Sequence, residues 1–150
     1  MMENWKTRTK LVHAGIKRSQ FGELSEALFL TQGFAYDTAE QAEARFIQNS
    51  SDEYIYGRYG NPTVRMFEER MIAIEGAEDA FATATGMAAV SGALFCMLKN
   101  GDHIISSKSL FGSCMFVVDD ILRRWGIEVT LVEGTDLNQW RDAMQSNTKV

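Results

Sequence analysis

The sequence predicts an α/β fold with three layers, α/β/α, in which a mainly parallel sheet lies between helices and an extended N-terminal arm precedes it. From residue 79 onward, strand-like apolar runs alternate with helical patterns over short connections. Such alternation is typical of parallel sheets with right-handed crossovers. Residues 1–36, in contrast, mix glycines with scattered apolar residues and show little periodicity. The 150 residues are 45% hydrophobic, which is enough for one domain with a buried core.

Two helices are predicted before the alternating region. The first covers Thr38–Phe46, where a threonine can cap the N-terminus and glutamates follow early in the helix. The second begins at Pro62 with Asn61 as its N-cap and ends at Gly76. Its apolar face consists of Val64, Phe67, Met71 and Ile74. The aromatic stretch YIYGRYG, residues 54–60, is therefore a loop that leads into this helix.

The alternating region supplies the predicted sheet. Strands are expected at DAFATAT, DHIISS and IEVTLVE, and helices at GMAAVSGALFCMLK, GSCMFVVDDILRRWG and DLNQWRDAMQ. The first of these helices is largely apolar, so we expect it to be buried. Because residues 147–150, NTKV, have the pattern of a further strand, the chain is expected to be the first part of a longer protein. Ligands of such sheets bind beyond the carboxyl ends of the strands.

Charge and cysteine content limit the partners and the compartment. The net charge is −5, with 15 basic and 20 acidic side chains, which argues against nucleic acid as a partner. Cys96 and Cys114 lack any CxxC or Cys/His spacing, so we expect buried, reduced thiols and no metal site. No apolar run predicts a signal peptide or a membrane span. We therefore expect a cytoplasmic protein with no membrane partner.

Two predicted strand ends carry possible binding groups. In TATGMAAV, Thr85 can cap the next helix and Gly86 lets a ligand approach the backbone, so the free N–H groups there can bind a phosphate. The alternative is that Thr85 is only a cap and Gly86 only permits close packing. The stretch is neither a GxGxxG fingerprint nor a GxxxxGK[ST] loop. In SLFGSC, Phe111 can lie against a planar cofactor ring, or it can belong to the core.

Three motifs together carry a family resemblance. YGRYGNPT, EGAEDAFATATGMAA and LFGSC resemble, in order and spacing, the Cys/Met-metabolism family of pyridoxal-phosphate (PLP) enzymes, and TKLVHAG and SEALFLTQGF resemble its opening segments. The resemblance implies the fold type I of PLP-dependent transferases, with PLP as the cofactor. Residues 1–60 would be the N-terminal arm and a cofactor-reaching loop. Residues 61–150 would be the first part of the large PLP-binding domain, with the rest of that domain and a C-terminal domain absent.

The resemblance assigns binding roles to the residues of these motifs. Tyr56 and Arg58 would reach across a subunit interface and bind the PLP phosphate of the neighbouring protomer, which implies a homo-oligomer, a tetramer built from dimers that share active sites. A phenol and a guanidinium both donate hydrogen bonds to phosphate, and arginine stays charged. Thr85, Gly86 and Met87 match the family's Ser-Gly-Met phosphate motif, with a threonine hydroxyl in place of serine.

Phe111 falls where the family commonly has a tyrosine that stacks on the PLP ring. A phenylalanine can stack, but it has no hydroxyl for proton transfer. With LFGSC as a unit, this substitution resembles the branch that acts on O-succinylhomoserine. The implied reaction replaces the γ-substituent with sulfide and gives homocysteine for methionine biosynthesis. Other branches use the acetyl ester, take cysteine as the nucleophile, or eliminate the γ-substituent.

No catalytic residue is expected within this chain. The resemblance places the Schiff-base lysine and the aspartate that pairs with the pyridinium nitrogen beyond Val150, and Lys99, Lys108 and Lys149 lack that lysine's motif context. The 150-residue chain alone is therefore expected to be inactive. Two interpretations from other classes are a non-catalytic oligomeric binding module and a nucleotide-binding α/β domain. The second is disfavoured, because no acidic residue follows a glycine-rich turn.

Overall fold

The chain divides into two structural units, Met1–Ala82 and Thr83–Val150. The computed structural model describes residues 4–47 and 53–150. The proposed division at residue 60, between an arm with its loop and the start of the PLP-binding domain, stays a prediction.

The helices of the first unit are α1 (Thr7–His13), α2 (Ala39–Ile47) and α3 (Pro62–Glu75). Both predicted helices, α2 and α3, are confirmed. The ends of α3 are set locally, since the Asn61 side chain accepts a hydrogen bond from Thr63 N at 2.9 Å. Gly76 closes the helix in the left-handed conformation, with φ of 68°.

Helix α1 lies within the arm for which no periodicity was predicted. Its seven residues lack a side-chain cap, and a helix this short is not stable alone. Contacts with α3 hold it instead. Lys10 Nζ donates to Ala73 O at 3.0 Å, and Arg70 Nε donates to Ala14 O at 3.2 Å. Because these partners are distant in sequence, local periodicity could not reveal α1.

The second unit contains a parallel sheet and the helices around it. Its elements are α4 (Gly86–Met97), β1 (His103–Ser107), α5 (Gly112–Met115), a π-helical stretch (Phe116–Ile121), α6 (Leu122–Arg124), β2 (Glu128–Val132) and α7 (Leu137–Asp142). Strands β1 and β2 pair in parallel, with Ile104 opposite Val129. The predicted strands at DHIISS and IEVTLVE are confirmed, and so are the helices, apart from the unpredicted π-helical stretch.

Residues 147–150 extend this sheet on the other side of β1. His103 N donates to Asn147 O, Lys149 N donates to His103 O, and Ile105 N donates to Val150 O, each at 2.9 Å. His103 and Thr148 form a parallel bridge. The strand-like pattern predicted for NTKV is therefore matched by strand-like pairing, and β1 is the central element.

The core of the second unit lies beneath β1 and β2. Its buried members are Leu98, Ile104, Val118, Leu122, Ile127 and Val129. Leu122 is 0% exposed and so is His103, which lies within β1. The His103 ring nitrogens contact Thr148 Oγ1 at 2.8 Å and Thr130 Oγ1 at 2.9 Å. One buried ring thus links β1 to both of its neighbours.

Two sequence predictions are wrong, namely the strand at DAFATAT, just before and at the start of the second unit, and the burial of α4. The segment DAFATAT forms no strand, because the N–H groups of Ala80 and Ala82 bond to the side chains of Asp79 and Glu68 instead of a neighbouring strand. Helix α4 forms as predicted but has no buried residue. Its described packing includes the stacking of Phe95 on Trp125, with ring centroids 4.5 Å apart.

Two further expectations were that the cysteines are buried and that no segment spans a membrane. Cys96 is exposed and Cys114 is half-buried, so the prediction of buried thiols is wrong. Both are free thiols. In residues 4–47 and 53–150, no helix is both long enough and apolar enough to cross a membrane.

Candidate cofactor site

The loop that precedes α3 is fastened to the segment 29–33. Gly57 N donates to Gln32 O at 2.8 Å, and Gly33 pairs with Tyr56 in an antiparallel bridge. A side chain at position 57 would place its Cβ 3.2 Å from Gln32 Cα and from Thr31 O. Glycine at this position therefore allows the two segments to lie directly against each other.

Asn61 completes this attachment at the end of the loop. Its Nδ2 donates to Phe29 O at 2.9 Å and to Thr31 O at 3.2 Å, while its Oδ1 caps α3. Asn61 is buried. One side chain thus joins the segment 29–33, the loop and the helix, so the loop residues are presented on a supported backbone.

Arg58 lies close to two aromatic rings of this loop. Its Cζ is 5.3 Å from the centroid of the Tyr56 ring and 5.2 Å from that of the Tyr59 ring, within cation–π distance of both. Within the described residues, Arg58 forms no hydrogen bond and no ion pair. A cation–π contact uses none of the N–H donors of a guanidinium in a conventional hydrogen bond, so the donors of Arg58 stay available for a phosphate.

Arg58 also lines a cavity of about 660 Å³ within the first unit. The second arginine of the cavity wall, Arg65, is already paired, because its NH1 lies 2.8 Å from Asp79 Oδ1 and 3.5 Å from Glu68 Oε2. The hydrogen bond from Arg65 lowers the pKa of the Asp79 carboxyl, and the same bond raises the pKa of Arg65. Arg58 is therefore the guanidinium of this cavity that remains free for an anion among the described residues.

The start of α4 carries the second set of predicted donors. Thr85 caps the helix, since its Oγ1 accepts from Ala88 N at 3.0 Å. The N–H groups of Gly86 and Met87 have no acceptor in the described part of the chain. A Cβ at Gly86 would meet no atom within 4 Å, so close packing within the described residues does not explain this glycine. The free N–H groups and the open space fit a phosphate.

Phe111 precedes a short helix that contacts the start of α4 in the second unit. It directly precedes α5, and Cys114 Sγ, three residues further on, is 3.9 Å from Met87 Sδ. Phe111 is 73% exposed. The alternative that Phe111 belongs to the core is therefore not supported, and the ring is available to stack on a planar group.

The predicted residues thus form two groups that the structure describes separately. Tyr56 and Arg58 share one loop of the first unit. Thr85, Gly86 and Met87 share one helix start of the second unit. Sequence analysis missed Gln32, whose side chain meets the Tyr56 hydroxyl at 3.2 Å. This contact joins residues 24 positions apart, and no local pattern in TQGF indicates it.

Two further expectations concern the lysines of this chain and a metal site. Lys108 Nζ lies 3.1 Å from Glu133 Oε1 in an exposed ion pair, so this lysine already has a carboxylate partner at the surface. In the described ranges, no group of three or more His, Cys, Asp or Glu side chains could hold a metal ion.

Comparisons with known proteins place this chain in a family of enzymes. Residues 8–150 match the family model for "Cys/Met metabolism PLP-dependent enzyme". The chain belongs to this family, whose cofactor is PLP, and its fold is the fold type I of PLP-dependent transferases. The predicted family, fold class and cofactor are thereby confirmed. The free N–H groups at the start of α4, the unpaired Arg58 and the exposed Phe111 described above have the chemistry to bind that cofactor.

Curated relatives within this family include two kinds of enzyme. The chain is 49% identical to an O-succinylhomoserine sulfhydrylase of Mycobacterium tuberculosis over 92% of its own length and 34% of the relative. It is 39% identical to an L-methionine gamma-lyase of Fusobacterium nucleatum subsp. polymorphum over 95% of its length and 36% of the relative. The chain therefore spans about a third of the length of these curated relatives.

A solved structure of similar fold carries the cofactor. It is a Campylobacter jejuni subsp. jejuni protein proposed to be an O-acetylhomoserine (thiol)-lyase, with N′-pyridoxyl-lysine-5′-monophosphate at position 205 of its own chain. The TM-score is 0.91 and the identity 26%, over 97% of this chain and 36% of the other.

Proposed function

We propose that this chain is the N-terminal, cofactor-binding part of an enzyme that converts O-succinylhomoserine and sulfide to homocysteine and succinate. The observation that carries the proposal is the 49% identity to an O-succinylhomoserine sulfhydrylase, against 39% to a methionine gamma-lyase and 34% to an O-acetyl-L-homoserine sulfhydrylase. In the reaction the bond from the γ-carbon to the ester oxygen breaks, and succinate leaves with the electron pair of that bond. The sulfur of hydrogen sulfide forms a bond to the γ-carbon and releases one proton to solvent, which gives the thiol of homocysteine.

The residues of this chain would bind and orient the cofactor. Thr85 keeps its hydroxyl proton while it caps α4, so it can donate to a phosphate oxygen together with the N–H groups of Gly86 and Met87. The dipole of the 12-residue helix favours an anion at this end. Bound PLP supplies the electron sink for carbanion chemistry at the amino acid. Phe111 would hold the ring by stacking and cannot carry a proton.

We propose that no lysine of this chain transfers protons in the reaction. Lys108 is paired with Glu133, and Lys99 and Lys149 lie outside the two groups of phosphate donors. We place the Schiff-base lysine and the acidic partner of the pyridine nitrogen outside residues 1–150. The 150-residue chain by itself is therefore proposed to be inactive.

The substrate assignment predicts a specific product balance. The complete gene product, loaded with PLP, is expected to release homocysteine and succinate in equal amounts from O-succinylhomoserine and sulfide. Its kcat/KM should be at least about tenfold higher with the succinyl than with the acetyl ester. Both products are quantified by mass spectrometry. Preference for the acetyl ester, for cysteine as the nucleophile, or for elimination from methionine would assign the protein to another branch, and absence of all turnover would favour a non-catalytic binding module.

We further propose a homo-oligomer, at least a dimer and in the complete protein a tetramer, in which the arm lies on a partner. Four large apolar side chains of the arm are mostly exposed, namely Phe21, Leu24, Leu28 and Leu30. Apolar groups left in water in such number are typical of surfaces that another chain covers. The unpaired Arg58 agrees with a phosphate supplied by the neighbouring protomer.

Subunit mixing tests whether Arg58 serves the neighbour. Arg58→Ala damages the donated loop and Gly86→Asp damages the receiving helix start, so each pure variant should lose PLP. In a random mixture, half of the dimers are hybrids and each hybrid regains one intact site, so about a quarter of the parental PLP content should return. If Arg58 served its own protomer, no hybrid would contain an intact site. Failure of the mixture to regain PLP, or a monomer in sedimentation of the parent, would contradict the shared site.

A further inference from the structure

Gln32 contacts the candidate phosphate loop at two points. Its backbone carbonyl accepts from Gly57 N at 2.8 Å, and its Oε1 accepts from the Tyr56 hydroxyl at 3.2 Å. The adjoining Gly33 forms a bridge with Tyr56. The backbone contacts hold Gln32 in place, and its side chain ends at the hydroxyl that we propose for phosphate binding.

The hydroxyl of Tyr56 has only one proton to donate. As the side chains lie, that proton goes to Gln32 Oε1, so none is directed at an anion. A phosphate at neutral pH offers mainly acceptor oxygens, and it needs that proton. The arrangement in which the amide oxygen faces Tyr56 is therefore the wrong one for binding a phosphate through this hydroxyl.

A rotation of the Gln32 amide would free the Tyr56 proton for a phosphate. Half a turn about its last side-chain bond exchanges Oε1 with Nε2, which have nearly the same shape and carry an acceptor and two donors respectively. Gln32 is exposed, and its amide has no other hydrogen-bond partner among the described residues. No second contact therefore opposes the turn.

We propose that Gln32 is a positioning residue for the cofactor phosphate and acts through Tyr56. With the amide turned, Gln32 Nε2 donates to the Tyr56 oxygen and Tyr56 donates to a phosphate oxygen. Successive hydrogen bonds of this kind polarise one another and strengthen the last one. The inference rests on the proposed phosphate role of Tyr56, and it assigns Gln32 no contact with the reacting atoms.

The first test measures the Kd for PLP of the complete gene product by titrating its apo form. Gln32→Glu introduces a carboxylate that only accepts, so it retains the Tyr56 proton and adds a negative charge beside the phosphate. We expect the Kd to rise about tenfold. Gln32→Met keeps the length but cannot donate to Tyr56, and the Kd is expected to rise about threefold.

A double-mutant cycle separates action through the hydroxyl from a structural effect. In the Tyr56→Phe background, Gln32→Met should leave the Kd unchanged, because no hydroxyl remains to be oriented. Equal fold-changes in the two backgrounds, or no change in the parent, would overturn the role of Gln32. Gln20→Glu adds the same charge at another exposed position of the first unit and should not change the Kd.

Failure of this inference can be distinguished from failure of the proposed function. If Arg58→Ala and Tyr56→Phe raise the Kd but Gln32→Met does not, the loop binds the phosphate and Gln32 does not position it. If neither Arg58→Ala nor Tyr56→Phe raises the Kd, the phosphate role of the loop and the role of Gln32 are both wrong. Circular dichroism of each variant checks that the fold is retained, as expected for an exposed side chain.

Discussion

Replacing Arg58 with alanine is expected to weaken PLP binding by about ten- to a hundredfold, as follows from about 1.5–3 kcal/mol for a hydrogen bond to a charged group. Arg58 holds no hydrogen bond or ion pair in the described residues, and its guanidinium lies over the rings of Tyr56 and Tyr59. Its removal should therefore affect the ligand far more than the fold. Titration of the apo form with PLP gives the change in Kd directly.

Three further variants make the Arg58 result specific. Arg8→Ala removes an exposed arginine of the same unit and should leave the Kd unchanged. Lys108→Ala removes a cation that is paired with Glu133 and should also have no effect. Arg58→Lys keeps the charge but loses the planar fork, so an intermediate Kd is expected. Parental affinity in Arg58→Ala would remove Arg58 from the phosphate site.

The contrast between Arg58 and Arg65 shows what the sequence could indicate and what it could not. Both are arginines near the start of α3, and the motif around Arg58 already suggested a phosphate donor. Only the structure shows that Arg65 is occupied by Asp79, at 2.8 Å, and by Glu68, at 3.5 Å, while Arg58 is not. The availability of a charge depends on neighbours that are distant in sequence, and no local motif records them.

The difference between local signals and partners distant in sequence also explains which helices and strands were predicted correctly. The limits of α3 follow from Asn61, Pro62 and Gly76, all adjacent to the helix, and they were predicted correctly. Helix α1 and the hydrogen bond between Gln32 and Tyr56 depend on partners brought close by folding, and both were missed. The segment DAFATAT has the composition of a strand, but a strand needs a neighbour, and its N–H groups found side chains instead.

His103 is the residue on which the small sheet depends most. It was placed at the start of a strand by sequence, but its burial and its two threonine partners come from the pairing of three chain segments. Strand β1 leads directly toward Phe111, and Lys108 N extends the pairing by donating to Val132 O at 2.9 Å. The ring that joins the strands therefore also supports the segment that presents Phe111.

Replacing His103 with alanine is expected to destabilise the protein by about 3 kcal/mol, because it leaves a cavity at a fully buried site and removes a partner from Thr130 and Thr148. The midpoint of urea unfolding measures the loss.

His13, the other histidine, is exposed, and His13→Ala should change stability by less than about 0.5 kcal/mol. The Thr148 hydroxyl contacts the His103 ring and also accepts a hydrogen bond from Gln145 N at 2.8 Å. Thr148→Val should therefore cost about 1 kcal/mol less in the His103→Ala background than in the parent, since one of the two partners is already gone while Gln145 N remains. Additive losses in that pair would show that the ring fills space without linking β1 to residues 147–150.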